Sequence, residues 1–260
     1  MKLVRRVLVG FYVCILLSAL SVAQMPFGAP GVSALNVDDS MKGWKPVCVL
    51  PSCNPGGSGI PIKTFQTTGH QSPAKDGRSM EVSLTGRSYT NALWTYVAGH
   101  DDSATSFSMD LWIYPTGAAS VAGSYEFDQF DFSSSTRVEF MWGSQCNQVN
   151  HLWQVFDQLH GHWINTSVKC SLTPNTWHRV RWDVHRVNGD TNRCSGMPCM
   201  YYDTLTVDGT VHPVNVKYPA GHLPRGWGSS VGLQVQIDIG ATGGPVTVDE
   251  FLDMADFTAR

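Results

Sequence analysis

The sequence predicts an all-β fold, and three observations carry the prediction. Short runs rich in β-branched and aromatic residues recur from Arg78 onward, with turn signals between them. Several runs alternate between apolar and polar positions with a period of two. Helical periodicity is confined to one short stretch. Many strands at close spacing with little helix make a sandwich or a barrel.

The chain begins with a segment that has no part in that fold. Lys2, Arg5 and Arg6 precede an apolar run over 7–20, and Ser21-Val22-Ala23 is a small-residue cleavage pattern. This reads as a secretory signal peptide over residues 1–23, cut after Ala23. As a membrane anchor the apolar run is short of the roughly 20 residues a spanning helix needs. Cys14 lies inside the run and not at its end, which argues against a lipid anchor. Residues 24–36 are expected to be a flexible mature N-terminus, and 37–260 one domain.

Removing three basic residues with the signal leaves fifteen Lys and Arg against 21 Asp and Glu, a net charge of −6. That argues against nucleic acid and against anionic membranes as partners of the mature chain. With Cys14 gone, six cysteines remain: Cys48, Cys53, Cys146, Cys170, Cys194 and Cys199. An even number in an exported chain reads as disulfides, and six allow 15 pairings. The spacings suggest Cys48–Cys53 and Cys194–Cys199 as local loops, which leaves Cys146–Cys170. None forms the C-x2-C pairs of a zinc site. No cofactor is expected, and a structural calcium has no support in the sequence. The expected location is extracellular or periplasmic.

In chain order, residues 37–44 are a candidate opening strand. Residues 48–61 are a loop dense in Pro, Gly and Ser, and 70–76 form another. Strands are expected over 79–84, 91–96, 106–114, 124–130, 137–142, 152–157, 163–168, 177–187, 202–207, 232–239 and 245–251. Thr85-Gly86, Pro115-Thr116-Gly117, Asn188-Gly189-Asp190, Asp208-Gly209 and Thr242-Gly243-Gly244 supply turns between them. The one helical candidate is 251–259.

Alternation divides the faces. Phe107, Met109, Leu111 and Ile113 alternate with Asp110, Trp112 and Tyr114. Leu233, Val235, Ile237 and Ile239 alternate with Gln234, Gln236 and Asp238. The aliphatic face fits the space between two sheets. The other face carries carboxylates, amides and aromatic rings where an ordinary solvent face carries Lys, Thr and Ser. Planar polar groups suit sugar hydroxyls, and rings suit sugar C–H faces. Trp94, Trp112, Trp142, Trp153 and Trp163 are candidate stacking platforms, with Trp112 favoured because it shares a face with Asp110.

The most chemically pointed stretch is Tyr125-Glu126-Phe127-Asp128-Gln129-Phe130-Asp131. On a strand, Glu126 and Asp128 share one face. Two neighbouring carboxylates repel, so one is raised in pKa or a partner such as Arg137, Arg179 or Arg181 is needed. His151, His160 and His162 form a small cluster near Asp157, read as a polar loop in preference to a metal site. Asn165-Thr166-Ser167 is an N-glycosylation sequon.

The segments 125–130, 140–147, 174–178 and 231–238 resemble the concanavalin A-like lectin/glucanase superfamily, in particular secreted single-domain proteins of soil bacteria. The resemblance implies a two-sheet antiparallel jelly roll that binds glycan on its concave sheet. Glu126 to Asp131 is similar to the E-x-D-x-x-E signature of family-sixteen glycoside hydrolases. That likeness implies Glu126 as nucleophile, Asp128 as helper and Asp131 as acid/base, with Asp in place of the final Glu. Glu126 and Asp131 fall on opposite faces of a regular strand, so the mapping requires a β-bulge near Phe130. The expected function is a secreted carbohydrate-binding, lectin-like protein contacting a polysaccharide through Asp110, Trp112, Tyr114, Trp142, Gln234, Gln236 and Asp238. The alternatives are a retaining glycoside hydrolase acting on β-glucans, and a structural or adhesive surface protein with a protein partner.

Overall fold

The computed structural model describes residues 31–40, 42–46, 63–187 and 193–260. The signal segment and the expected Cys48–Cys53 bond lie outside them. The strands in chain order are β1 (Val32–Ala34), β2 (Trp44–Pro46), β3 (Lys63–His70), β4 (Ser79–Gly86), β5 (Asn91–Gly99) and β6 (Ser106–Pro115). There follow β7 (Ala122–Ser133), β8 (Val138–Trp142), β9 (Ser144–Asn147), β10 (Leu152–Asp157), β11 (His162–Lys169) and β12 (His178–Arg186). The last are β13 (Arg193–Cys194), β14 (Met197–Val207), β15 (Thr210–Pro219), β16 (Gly221–His222), β17 (Ser230–Ile239) and β18 (Val246–Ala259).

They form two antiparallel sheets. The first runs β13-β14-β12-β6-β18-β4-β3, with β15 on β14 and β1 on β18. The second runs β11-β10-β9-β7-β17-β5-β2, with β8 on β7 and β16 on β8. From β4 to β7 the chain changes sheet at every step, and β17 and β18 again lie in different sheets. This crossing makes the sandwich a jelly roll.

The core forms where the alternation predicts. Phe107, Met109, Leu111 and Ile113 of β6 face Tyr125 and Phe127 of β7 and Leu233, Val235 and Ile237 of β17 in one apolar cluster. Phe107 meets Trp142 across the interface at 4.8 Å between ring centroids, and Trp153 meets Trp182 at 6.2 Å. Fully burying one large apolar side chain contributes about 1.5–3 kcal/mol, so these rings are a principal source of cohesion. The Tyr202 hydroxyl crosses from β14 to donate to the carbonyls of Gly143, at 3.1 Å, and Phe156, at 3.0 Å. Cys146–Cys170 ties β9 to the end of β11, and Cys194–Cys199 closes the turn before β14.

Three expectations are corrected. Residues 251–259 are not helical: they extend β18, which pairs with both β4 and β6. Val37–Asp39 is a single 3-10 turn, and the strand nearby is β2. Val32–Ala34, placed by sequence in the flexible N-terminus, pairs with β18 in register Val32 to Ala259. The unexpected β15 contains Pro213, which a central strand excludes but an edge strand tolerates.

Candidate functional site

β7 lies between β17 on one side and β8 and β9 on the other. Its register with β17 runs without a shift from Phe132 to Ser124, so no bulge occurs at Phe130. Glu126 and Asp128 therefore point outward from the second sheet, while Asp131 points into the sandwich. There Asp131 Oδ2 lies 2.8 Å from Arg186 Nε of β12. The structure does not bring the three carboxyls of the E-x-D-x-x-E-like stretch together.

What it assembles around Glu126 and Asp128 is a set of cross-strand rows on the outer face. One row reads Asn165, Gln154, Gln145, Glu126, Gln236 and Leu93, across β11, β10, β9, β7, β17 and β5. Beside it runs Leu152, Asn147, Ser124, Asp238 and Asn91. On the other flank Thr95, Gln234 and Asp128 lead to Gly143, then to Phe156 and Trp163. Beyond Asp128 the same face turns apolar. Phe130, Phe132 and Leu223 form a second cluster with Met141 and Trp227.

The rows are joined by side-chain hydrogen bonds. Gln145 Nε2 and Asn147 Nδ2 both donate to Gln154 Oε1, and Gln154 Nε2 donates to Asn165 Oδ1 at 2.6 Å. Ser124 Oγ donates to Asp238 at 2.5 Å, and Gln236 Nε2 donates to it at 3.2 Å. The Ser144 backbone N–H donates to Asp128 at 3.1 Å. Gln234 is 3% exposed and stands between Thr95 and Asp128 in its row.

Gly143 matters because it lacks a side chain. A Cβ built there would lie 2.9 Å from Phe156 Cβ, and 3.5 Å from both Asp128 Oδ1 and the Trp163 ring. The glycine thus allows close packing of the chain against Phe156, beneath the carboxyl and the half-buried indole, where even a methyl group would not fit.

Three carboxyls share this face. Burial first, then Asp238 and Asp128, push Glu126 well above the usual carboxylate range. Burial pushes Asp128 up to about 7, against the opposing Ser144 N–H. Asp238 is raised by burial and held back by hydrogen bonds from Glu126, Ser124, Gln236 and Asn91. The contact between Glu126 and Asp238 raises Glu126 and lowers Asp238, so of the two Glu126 keeps its proton more readily. The arginines expected to neutralise the cluster lie elsewhere. Arg137 Nη2 donates to the Leu223 carbonyl at 2.6 Å, and Arg179 and Arg181 pair with Asp110 and Asp183 on the first sheet.

The sequence-predicted binding residues divide three ways. Gln234, Gln236 and Asp238 join Glu126 and Asp128. Asp110, Trp112 and Tyr114 lie on the outer face of the first sheet, on the far side of the sandwich from them. There Lys75 Nζ sits 4.0 Å over the Trp112 ring, and Tyr114 packs against Trp177. Trp142 is a core residue, 1% exposed and stacked on Phe140. Trp94 and Trp153 are core as well, which leaves Trp163, half-buried opposite Phe156, as the candidate ring on the second sheet's face. Sequence reasoning missed Gln145, Asn147, Gln154 and Asn91. Their signal was present: each amide alternates with a core residue such as Cys146, Trp153 or Ala92.

No family model and no curated protein matches the chain. Among solved structures, a carbohydrate-binding module of the β-sandwich superfamily gives a TM-score of 0.43 at 12% identity, over 86% of this chain and 61% of its own. Arcelin-5, a lectin-like defence protein from Phaseolus vulgaris, gives 0.45 at 11% identity, over 89% and 99%. A family 11 carbohydrate-binding module from Clostridium thermocellum, solved with a β-1,3-1,4-mixed-linked tetrasaccharide, gives 0.37 at 13% identity, over 88% and 96%. At TM-scores below 0.5 these likenesses carry no weight beyond layered β-strands.

Proposed function

We propose that the chain is an exported polysaccharide-binding protein whose ligand lies on the outer face of the second sheet. The observation that carries the reading is the set of amide and carboxyl rows spanning six strands, with Trp163 beside them. Such a face offers many planar donors and acceptors in fixed positions, together with a ring on which a sugar can stack. Pre-positioned polar groups lower the cost of ordering on binding. Export is supported by the two disulfides, which persist in oxidising compartments.

Binding is favoured over hydrolysis by the carboxyl geometry. A retaining glycosidase needs two carboxyls about 5–5.5 Å apart on one side of the substrate. Asp131 is on the opposite face from Glu126, and Asp238 is hydrogen-bonded directly to it, so neither leaves a sugar bond between two carboxyls.

A glycan array followed by calorimetry tests the reading. The wild type is expected to bind at least one polysaccharide. Trp163→Ala should weaken it at least tenfold, while Trp112→Ala on the other sheet should leave it unchanged. Equal losses from both variants, or no glycan signal together with capture of a protein partner, would defeat the proposal. Robust release of reducing sugar by the wild type, abolished in Glu126→Gln with binding intact, would instead establish the hydrolase.

A further inference from the structure

The turn between β10 and β11 gathers imidazoles that the polar rows do not use. The fold divides the histidines that cluster in the sequence. His151 precedes β10, whereas His160 lies in the turn at the other end of that strand and His162 opens β11. The rings of His160 and His162 have their centroids 6.0 Å apart, with the planes tilted by 44°.

The turn is built on Asp157. Its carbonyl accepts the Gly161 N–H at 2.8 Å, and its Oδ1 accepts the His160 backbone N–H at 3.2 Å. Its Oδ2 lies 2.8 Å from His160 Nδ1, and across the strands Asp157 is the register partner of His162. The buried carboxylate thus takes the Nδ1–H of His160 and leaves the Nε2 lone pair on a half-exposed ring. An imidazole that donates one N–H to a carboxylate is oriented to ligate a metal through its other nitrogen. Two imidazoles on one tetrahedral ion, each with a nitrogen at about 2.0–2.1 Å from it, hold their ring centres about 5 Å apart. His160 and His162 are both exposed, and exposed side chains change rotamer readily, so closing the pair by about 1 Å needs no movement of the strands.

We propose that His160 and His162 bind a transition-metal dication, with Asp157 as the positioning residue behind His160. Imidazole nitrogen suits zinc, nickel and copper, whereas calcium and magnesium take oxygen. No group of three or more His, Cys, Asp and Glu among the described residues is gathered around a metal position. The ion therefore has two protein ligands and keeps water at its remaining positions. This site and the polysaccharide reading stand independently, and neither needs the other.

The test is titration calorimetry of the full, untagged chain at pH 7.5 with zinc, nickel, copper(II), calcium and magnesium chlorides, each alone. Zinc, nickel and copper(II) should each bind at one ion per chain, copper(II) most tightly, and calcium and magnesium should not compete with them. His160→Ala and His162→Ala should each weaken zinc binding at least tenfold, with the metal-free melting temperature unchanged. Asp157→Asn should weaken zinc binding about tenfold, and should add nothing in a His160→Ala background, because a group that acts through His160 has no effect without it. An equal Asp157→Asn loss in both backgrounds would overturn its positioning role. No binding of zinc, nickel or copper(II), binding unchanged in both histidine variants, calcium preferred to zinc, or one ion per two chains would overturn the site itself.

Discussion

On the outer face of the first sheet, Asp110 and Asp183 have arginine partners of their own. Asp110 receives a two-pronged contact from Arg179, at 2.8 and 2.5 Å, and Arg181 stands 3.5 Å away. Arg181 also grips Asp183, and His185 meets Asp203 at 2.7 Å. On the outer face of the second sheet, Glu126, Asp128 and Asp238 have only amides, a serine, a backbone N–H and one another. Around Asp110 and Asp183 the first face is paired, although at its other end Glu81 and Asp253 are raised by burial. The second gathers three raised carboxyls side by side with no arginine or lysine paired to them among the described residues, and perturbed groups gathered on one face mark a candidate site.

The comparison can be broken in several ways. The largest effect is expected inside the sandwich, where Asp131 lies against Arg186. Removing one partner of a buried pair leaves an uncompensated charge, so Arg186→Leu should lose about 3–5 kcal/mol of stability in urea unfolding. A loss below 1 kcal/mol would mean that the contact is not a buried pair.

Next is the pH dependence of stability. Asp38, Asp128, Asp131 and Glu139 are pushed up to about 7, chiefly by burial, and Glu126 and Glu250 are raised well above the usual range. Unfolded, such groups ionise near pH 4. Between about pH 4 and 7 the folded chain therefore holds protons that the unfolded chain releases, and stability falls as pH rises. Calorimetry should show a higher melting temperature at pH 5 than at pH 8; the reverse order would show that these carboxyls ionise freely in the fold.

Glu126→Gln on the second sheet should weaken glycan binding by about 0.5–1.5 kcal/mol, the range for a hydrogen bond between neutral groups, because burial keeps Glu126 protonated. Titration against the best array ligand measures it, and unchanged affinity would remove Glu126 from the site. Glu250 of β18 is a buried carboxyl of another kind, with neither oxygen partnered among the described residues. Glu250→Met fills the same space without a polar group to desolvate. It should stabilise the chain by about 1–3 kcal/mol in urea, and destabilisation would reveal a partner for Glu250. The smallest effect belongs to the first face. Arg179→Ala removes a half-exposed ion pair and should cost no more than about 1 kcal/mol, with glycan affinity unchanged.

Much of the fold was legible in the sequence because strand faces are recorded in a period of two. The alternations of β6 and β17 predict which residues enter the core, and Cys146–Cys170 and Cys194–Cys199 follow the expected pairing. The end of β18 was misread because Phe251 to Ala259 also fits a short helix. Pairing with β4 and β6 on either side decides in favour of a strand, and those partners are distant in sequence.

The site was legible only in part. Period-two patterning says that Asp110 and Gln236 each lie on the polar side of a strand. It does not say which sheet the strand joins, and the jelly roll sends β6 and β17 to opposite sheets. Residues grouped by chemistry were therefore divided between two faces. The sequence by itself determined the main strands of both sheets, the inward residues of β6 and β17, the acidic balance and the chemical character of Glu126 and Asp128. The tertiary structure decided that no bulge brings Asp131 to them, that Trp142 is core, and that Gln145, Gln154 and Asn165 complete their row. The reason is physical: cross-strand neighbours are set by register between segments far apart in the chain, and local sequence carries no measure of that register.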